Sequence, residues 1–171
     1  MAILKQGRLA ALLLSGTIIC STPTLAHADL YFAAGATSEN TVVVSIEIDR
    51  DYSLQHWHPQ LSLRLATGVL LLPGDEGDDN AAWRLTPAFR YTFAGERGVF
   101  AEAGIGAGVF LNTHLEGQEL STAFQFEDRL AIGIPFAGGE LGASLMHYSN
   151  AGIKRPNDGF ETLMLSYRTA F

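Results

Sequence analysis

The final stretch of the chain, F-E-T-L-M-L-S-Y-R-T-A-F (residues 160–171), alternates apolar and polar side chains. Leu163 and Leu165 fall on one face of an extended chain, and Ser166 and Arg168 fall on the other. Alternation with a period of two is typical of a β-strand whose two faces meet different surroundings. The stretch therefore predicts a C-terminal strand, and the same period can be followed upstream.

After the first 28 residues, period two dominates and helical periodicity is hard to find. Pro87 removes a backbone donor and predicts irregular pairing in the fourth strand. Asp128 falls on the apolar face of the sixth strand and predicts a bulge or a position at the mouth of the sheet. The pattern predicts eight strands: Leu30–Ser38, Thr41–Arg50, Gln60–Leu71, Trp83–Phe93, Val99–Asn112, Thr122–Ile134, Glu140–Asn150 and Phe160–Phe171.

Alternation alone fits a soluble β-sandwich or barrel as well as a membrane barrel. The faces opposite the large apolar residues mix Gly, Ala and Thr with charges of both signs, which suits a narrow lumen. The alternation ending in Phe171 is similar to the assembly signal of bacterial outer-membrane proteins. Short turns (51–59, 94–97, 135–139) alternate with mostly longer loops (72–82, 113–120, 151–158), although the connection near Glu39–Asn40 is short. We predict an all-β fold, an eight-stranded antiparallel outer-membrane β-barrel.

Charges of both signs fall on the predicted inner faces. Because an unpaired buried charge is strongly unfavourable, we expect the arginines to pair with carboxylates inside the lumen. The set comprises Arg64, Arg84, Arg90, Arg129 and Arg168 with Glu47, Glu102 and Glu127.

Residues 1–28 are typical of a secretory signal peptide. Lys5 and Arg8 precede an apolar run, Leu9–Cys20, and Ala26–Ala28 is an A-x-A cleavage site. The run is shorter than the roughly 20 apolar residues that a membrane-spanning helix needs. We expect residues 29–171 to be the barrel domain. It keeps all 18 acidic residues of a chain whose net charge is already −7, which argues against nucleic acid as a partner.

One hairpin, H-Y-S-N-A-G-I-K-R-P-N-D-G-F-E (residues 147–161), places chemistry on an apolar face. His147 and Ser149 are two residues apart, so on a strand they point to the same side as base and nucleophile. The segment 151–159 reads as a loop that returns Glu161 beside His147 as the third group of a triad. Spacing alone leaves open a polar strand end with no catalytic role.

The hairpin resembles the active-site hairpin of the lipid A 3-O-deacylase (PagL) family, in His147–Gly152, Pro156–Gly159 and Glu161. The resemblance implies an eight-stranded outer-membrane barrel with its Ser-His-Glu triad on the outside. It implies Ser149 as nucleophile, His147 as general base and Glu161 as orienting acid. The implied reaction removes the 3-position ester-linked acyl chain, a 3-hydroxy fatty acid, from lipid A of lipopolysaccharide. It also implies oxyanion donors at Gly152 and Asn157, supported by Asn150.

Two residues of the loop, Lys154 and Arg155, are cations in an otherwise acidic domain, and we expect them at the height of the lipid A phosphates. The expected partner is lipid A or lipopolysaccharide in the outer leaflet, and a homodimer is left open. We expect no cofactor, and His56, His58 and His114 are too dispersed for a zinc site. An outer-membrane phospholipase and a non-enzymatic structural or adhesive barrel are the alternatives.

Overall fold

Eight long antiparallel strands close into a barrel in the computed structural model, which describes residues 28–75, 77–93 and 98–170. Each strand pairs with the next along the chain, except that β5 pairs with β8 across a small hairpin, β6–β7. Pairing of β1 with β10 closes the barrel. The strands are β1 Asp29–Thr37, β2 Val42–Ser53, β3 Leu61–Leu72, β4 Asn80–Thr92, β5 Phe100–Phe110, β6 His114–Leu115, β7 Gln118–Glu119, β8 Phe124–Phe136, β9 Gly139–Ser149 and β10 Phe160–Ala170.

The eight predicted barrel strands are confirmed, with shifted ends. β2 does not stop at Arg50 but continues to Ser53, so the turn that was expected from Asp51 starts later. An ion pair in the lumen accompanies this extension: Oδ2 of Asp51 lies 2.9 Å from Nη2 of Arg168. β4 begins at Asn80 because its side-chain amide donates to two carbonyls of the 111–123 connection. The signal peptide prediction lies outside the described residues, apart from Ala28, as do the turn 94–97 and Phe171.

The two irregular positions behave differently from each other. Pro87 pairs in register with Leu65 of β3, but the pairing of β4 with β5 skips Thr86 and Pro87. The expected irregularity is therefore confined to one side of β4, where the proline has no N–H to donate. Asp128 lies within an unbroken register of β8, so of the two alternatives the bulge is wrong, and the residue lies opposite His147 in the half of β8 towards the long loops. Its side chain is exposed on the outer face.

The outer surface of the barrel is apolar and the inner surface is polar. Leu163 and Leu165 are 64% and 69% exposed, whereas Ser144 and Arg168 are 2% and 7% exposed. This distribution is the reverse of a soluble barrel and is that of a barrel whose outer face meets lipid. No helix among the described residues is long and apolar enough to cross a membrane.

Among the described residues five arginines lie in the lumen, and each is within salt-bridge distance of a carboxylate. Glu47 is shared by three of them: it lies 3.0 Å from Arg64 and 3.6 Å from Arg129, and it also pairs with Arg84. The expected acids take part, and four further carboxylates join them: Asp29, Asp49, Asp51 and Glu140. The expected pairing is confirmed, with more acidic partners than the sequence indicated.

Glu47→Ala should destabilise the barrel strongly, because three buried guanidinium groups lose the carboxylate that they share. Removing one partner of a buried ion pair typically costs about 3–5 kcal/mol. Urea unfolding in lipid vesicles, followed by tryptophan fluorescence, measures the loss. Asp78→Ala, in an exposed loop, is the matched control and should leave the midpoint unchanged. A Glu47→Ala midpoint equal to the control would contradict the central role of Glu47.

Candidate active site

The predicted histidine and glutamate meet on neighbouring strands. His147 of β9 and Glu161 of β10 are partners in the sheet register. The ring nitrogen Nδ1 of His147 lies 2.9 Å from Oε1 of Glu161. Both side chains are partly exposed on the outer face, at the end of the barrel where the longest loops emerge. The sheet register, rather than the intervening loop, therefore sets this pair.

Ser149 is the last residue of β9 and shares the outer face with His147. Residues two apart on a strand lie about 6.5–7 Å apart at Cα, within reach of a side-chain contact. Among the described residues no hydrogen bond joins the serine to the ring. Because Glu161 occupies Nδ1, Nε2 is the ring nitrogen left to take a proton from Ser149.

Between the histidine and the serine, Tyr148 points into the lumen and anchors the hairpin. Its ring stacks on Phe160 of β10 with centroids 5.0 Å apart and planes 20° apart. Its hydroxyl donates to Glu127 at 2.7 Å and accepts from Nη1 of Arg84 at 2.8 Å. Alternation on one strand thus places Tyr148 inside as an anchor, and His147 and Ser149 outside.

The loop after β9 is organised by Asn150, which is fully buried. Its Oδ1 accepts from the backbone N–H of Gly152 at 2.8 Å, and its Nδ2 donates to the carbonyls of Leu120 and Lys154 at 2.9 Å. Its own backbone N–H donates to Oδ1 of Asn157 at 2.8 Å. The three residues proposed for the oxyanion site are therefore joined in one network beside Ser149.

The two loop cations lie at the outer end of the site. Lys154 and Arg155 are both exposed. The ammonium of Lys154 donates to the carbonyl of Ser121 at 3.2 Å and so has further donors to offer.

An apolar groove of about 700 Å³ runs from His147 and Glu161 across the outer face. It crosses β8, β5 and β4 and reaches Leu63 of β3. Asp128 lies in the groove, and it is the register partner of His147 on β8. The groove is open to the surroundings of the barrel, and its apolar lining suits a hydrocarbon chain.

The contacts of two residues of the site were not predicted from the sequence. Ser38 fixes the backbone of Glu161: its N–H donates to the Glu161 carbonyl at 2.9 Å, and its hydroxyl accepts from the Glu161 N–H at 3.1 Å. Asp128 was noticed only as an irregularity. No local pattern signals either contact, because closure of β1 on β10 and the pairing of β8 with β9 create them. The described residues contain no group of three or more side chains suited to a metal ion.

Fold and site together define a class: an eight-stranded barrel of the outer-membrane type with a polar cluster on its apolar outer surface. The profile of the lipid A 3-O-deacylase (PagL) family matches residues 41–170. The chain belongs to this family.

Individual relatives agree with this placement. The chain is 37% identical over 149 residues to the lipid A deacylase PagL of Pseudomonas aeruginosa, covering 82% of this chain and 85% of that protein. It is 41% identical over 86 residues to that of Bordetella bronchiseptica, covering 50% and 47%. The crystal structure of the outer membrane enzyme PagL has a TM-score of 0.76 at 35% identity, over 82% of this chain and 98% of that one. A de novo designed transmembrane β-barrel, with a TM-score of 0.53 at 10% identity, shares the fold alone.

Proposed function

We propose that this protein is an outer-membrane serine esterase that removes the 3-linked acyl chain from lipid A, with Ser149, His147 and Glu161 as its triad. The observation that carries the proposal is the His147–Glu161 hydrogen bond, with Ser149 on the same outer face. Ionisable groups facing lipid are costly, and a substrate that lies in the membrane explains their position. Mass spectrometry of lipid A from cells with and without the protein tests the reaction.

Catalysis follows from the roles of the three groups. Nε2 of His147 takes the proton of Ser149 as Oγ attacks the carbonyl carbon of the ester. Glu161 holds the ring through Nδ1 and stabilises the imidazolium that forms. The imidazolium then protonates the leaving 3-oxygen of the sugar, which yields the deacylated lipid and an acyl-enzyme. Water, activated by His147, releases the fatty acid and restores the serine.

The oxyanion of the tetrahedral intermediate needs donors beside Ser149. Asn157 is suited to this role, because its Oδ1 is fixed by the N–H of Asn150 and its NH₂ group makes no hydrogen bond within the described residues. The N–H of Gly152, the other expected donor, is bonded to Asn150 Oδ1. We therefore assign the donor role first to Asn157 and give Asn150 and Gly152 the role of holding the loop.

The groove beside His147 holds the scissile acyl chain in this proposal. The chain expected from the resemblance carries a hydroxyl at its third carbon, close to the ester. Asp128, opposite His147, is an exposed carboxylate on an apolar face, and in this proposal it accepts a hydrogen bond from that hydroxyl. Hydrogen bonds to a charged group are worth about 1.5–3 kcal/mol, which is enough to discriminate between chains.

Lys154 and Arg155 fix the phosphorylated sugar backbone above the groove, so that the 3-linked ester meets Ser149. Placement of a substrate by groups remote from the reacting bond contributes to the rate through orientation. The described residues of one chain supply every group in this scheme, so it does not depend on the oligomeric state, which is left open.

Ser149→Ala and His147→Ala should each lower deacylation of lipid A on the order of 10⁴-fold or more, while the barrel still folds. Glu161→Ala should cost less, because the acid orients the base but takes no proton. Mass-spectrometric rates on purified lipid A, with urea midpoints as the folding control, measure these effects. Near wild-type turnover by Ser149→Ala would exclude covalent catalysis by this residue.

Asp128→Ala should lower the preference for a 3-hydroxyacyl ester over the unsubstituted acyl ester by about 10-fold or more, because the hydroxyl loses its charged acceptor. Paired assays of the two esters on one enzyme preparation give the ratio, and the unsubstituted ester serves as the internal control. An unchanged ratio would remove Asp128 from substrate recognition.

Lys154→Ala/Arg155→Ala should lower activity on phosphorylated lipid A much more than activity on a dephosphorylated analogue. The reason is that each cation favours a phosphate through charge-assisted hydrogen bonds. Initial rates of the wild type and the double variant on both substrates measure this difference. Equal losses on the two, or none on either, would leave the cations without a role in recognition.

A further inference from the structure

The catalytic loop, Asn150–Gly159, is docked on a neighbouring stretch that we name the outer segment, His114–Ser121. Buried Asn150 donates to the carbonyl of Leu120 at 2.9 Å, and Lys154 donates to the carbonyl of Ser121 at 3.2 Å. At the far end of the loop, Oδ2 of Asp158 accepts from the backbone N–H of Glu119 at 3.0 Å. The N–H of Asp158 points back to the Glu119 carbonyl at 3.4 Å.

The residue after Asp158 lies beside both proposed reactive groups. Gly159 has a φ of +66°, and a Cβ built on it would lie 3.2 Å from Cε1 of His147 and 3.5 Å from Cβ of Ser149. The backbone at Gly159 therefore lies close to the proposed base and nucleophile, with no room for a side chain between them. Asp158 is the last loop residue with a side chain before Gly159, because Phe160 already belongs to β10.

The outer segment is itself held firmly on its other side. The carboxylate of Glu116 accepts from the backbone N–H of Asp75 at 2.8 Å and of Gly77 at 2.9 Å, both in the loop before β4. Leu115 and Leu120 are buried. Glu119 also accepts from the N–H of Ser121 at 2.8 Å. The segment is thus a fixed support, so a hydrogen bond to it fixes the position of the loop residue that makes the bond.

We propose that Asp158 is a positioning residue for the reaction: its bond to the Glu119 N–H sets Gly159 against His147 and Ser149. The inference rests on the proposed function, because it assigns the geometry that serine catalysis requires. Asp158 touches no reacting atom, so it acts through the loop backbone. Glycine has the greatest backbone freedom of any residue, so Gly159 drifts once its neighbour is released. A misplacement of about 1 Å in a catalytic group costs up to about 100-fold in rate.

A pair of matched variants tests the role. Asp158→Ala removes the acceptor, whereas Asp158→Asn keeps a carbonyl oxygen for the Glu119 N–H. We expect Asp158→Ala to lower kcat for deacylation and the rate of Ser149 labelling by a fluorophosphonate by about 10- to 100-fold. KM and the urea midpoint should change little, because Asp158 is exposed. Asp158→Asn should stay within about 3-fold of wild type, and Asp78→Ala, in another exposed loop, should match wild type.

Two readouts separate this inference from the function on which it rests. Wild-type labelling that is lost in Ser149→Ala supports serine catalysis, and its absence would overturn the proposed function alone. Hydrogen exchange of residues 150–159 reads the loop position without any reaction, and it should become faster in Asp158→Ala only. Unchanged exchange in Asp158→Ala, unchanged labelling and kcat, or an equal fall in Asp158→Asn would each overturn the positioning role.

Discussion

Inside the barrel, Arg84 donates to Glu127, to Ser45 and to the hydroxyl of Tyr148. Through Glu47, Glu127 and Tyr148, this buried guanidinium links β2, β4, β8 and β9, and removing one partner of a buried ion pair is strongly unfavourable. Tyr148 is the residue between His147 and Ser149. The charged lumen therefore fixes the hairpin that carries the proposed triad, and a barrel that lost its ion pairs would also lose the support of this hairpin.

Alternation explains why the site faces outward. A strand that puts Tyr148 inside must put His147 and Ser149 outside, and the apolar residues of the same strand then define what surrounds them. On a lipid-facing surface the polar cluster is unfavourable unless it lies near the interface or binds a polar group of a membrane molecule. Its place at the loop end of β9 and β10, beside an apolar groove, meets the first condition, and the proposed lipid A substrate would meet the second. The fold thus selects a lipid as substrate before any specific contact does.

The strands, the two faces and the His147–Glu161 pair could be predicted because each depends on local periodicity and on one hairpin. Contacts set by distant pairing could not. Ser38 meets Glu161 only because β1 closes on β10, and Asp128 meets His147 only through the register of β8. From the sequence Asp128 was interpreted as an irregularity, because the local pattern does not show which residue lies opposite it on the next strand. Likewise, nothing near Asp158 in the sequence indicates Glu119, which lies 39 residues away.

The three members of the proposed triad are held with unequal firmness. His147 and Glu161 are register partners, and Ser38 pins the backbone of Glu161 from the first loop, so this pair is fixed by the sheet. Ser149 ends β9, and its far side is the loop of Asn150. It pairs with Phe126 of β8, so its position depends both on this strand pairing and on the network of that loop. The base is thus held within the sheet, whereas the nucleophile is held by the sheet on one side and, on the other, by a loop docked on the outer segment.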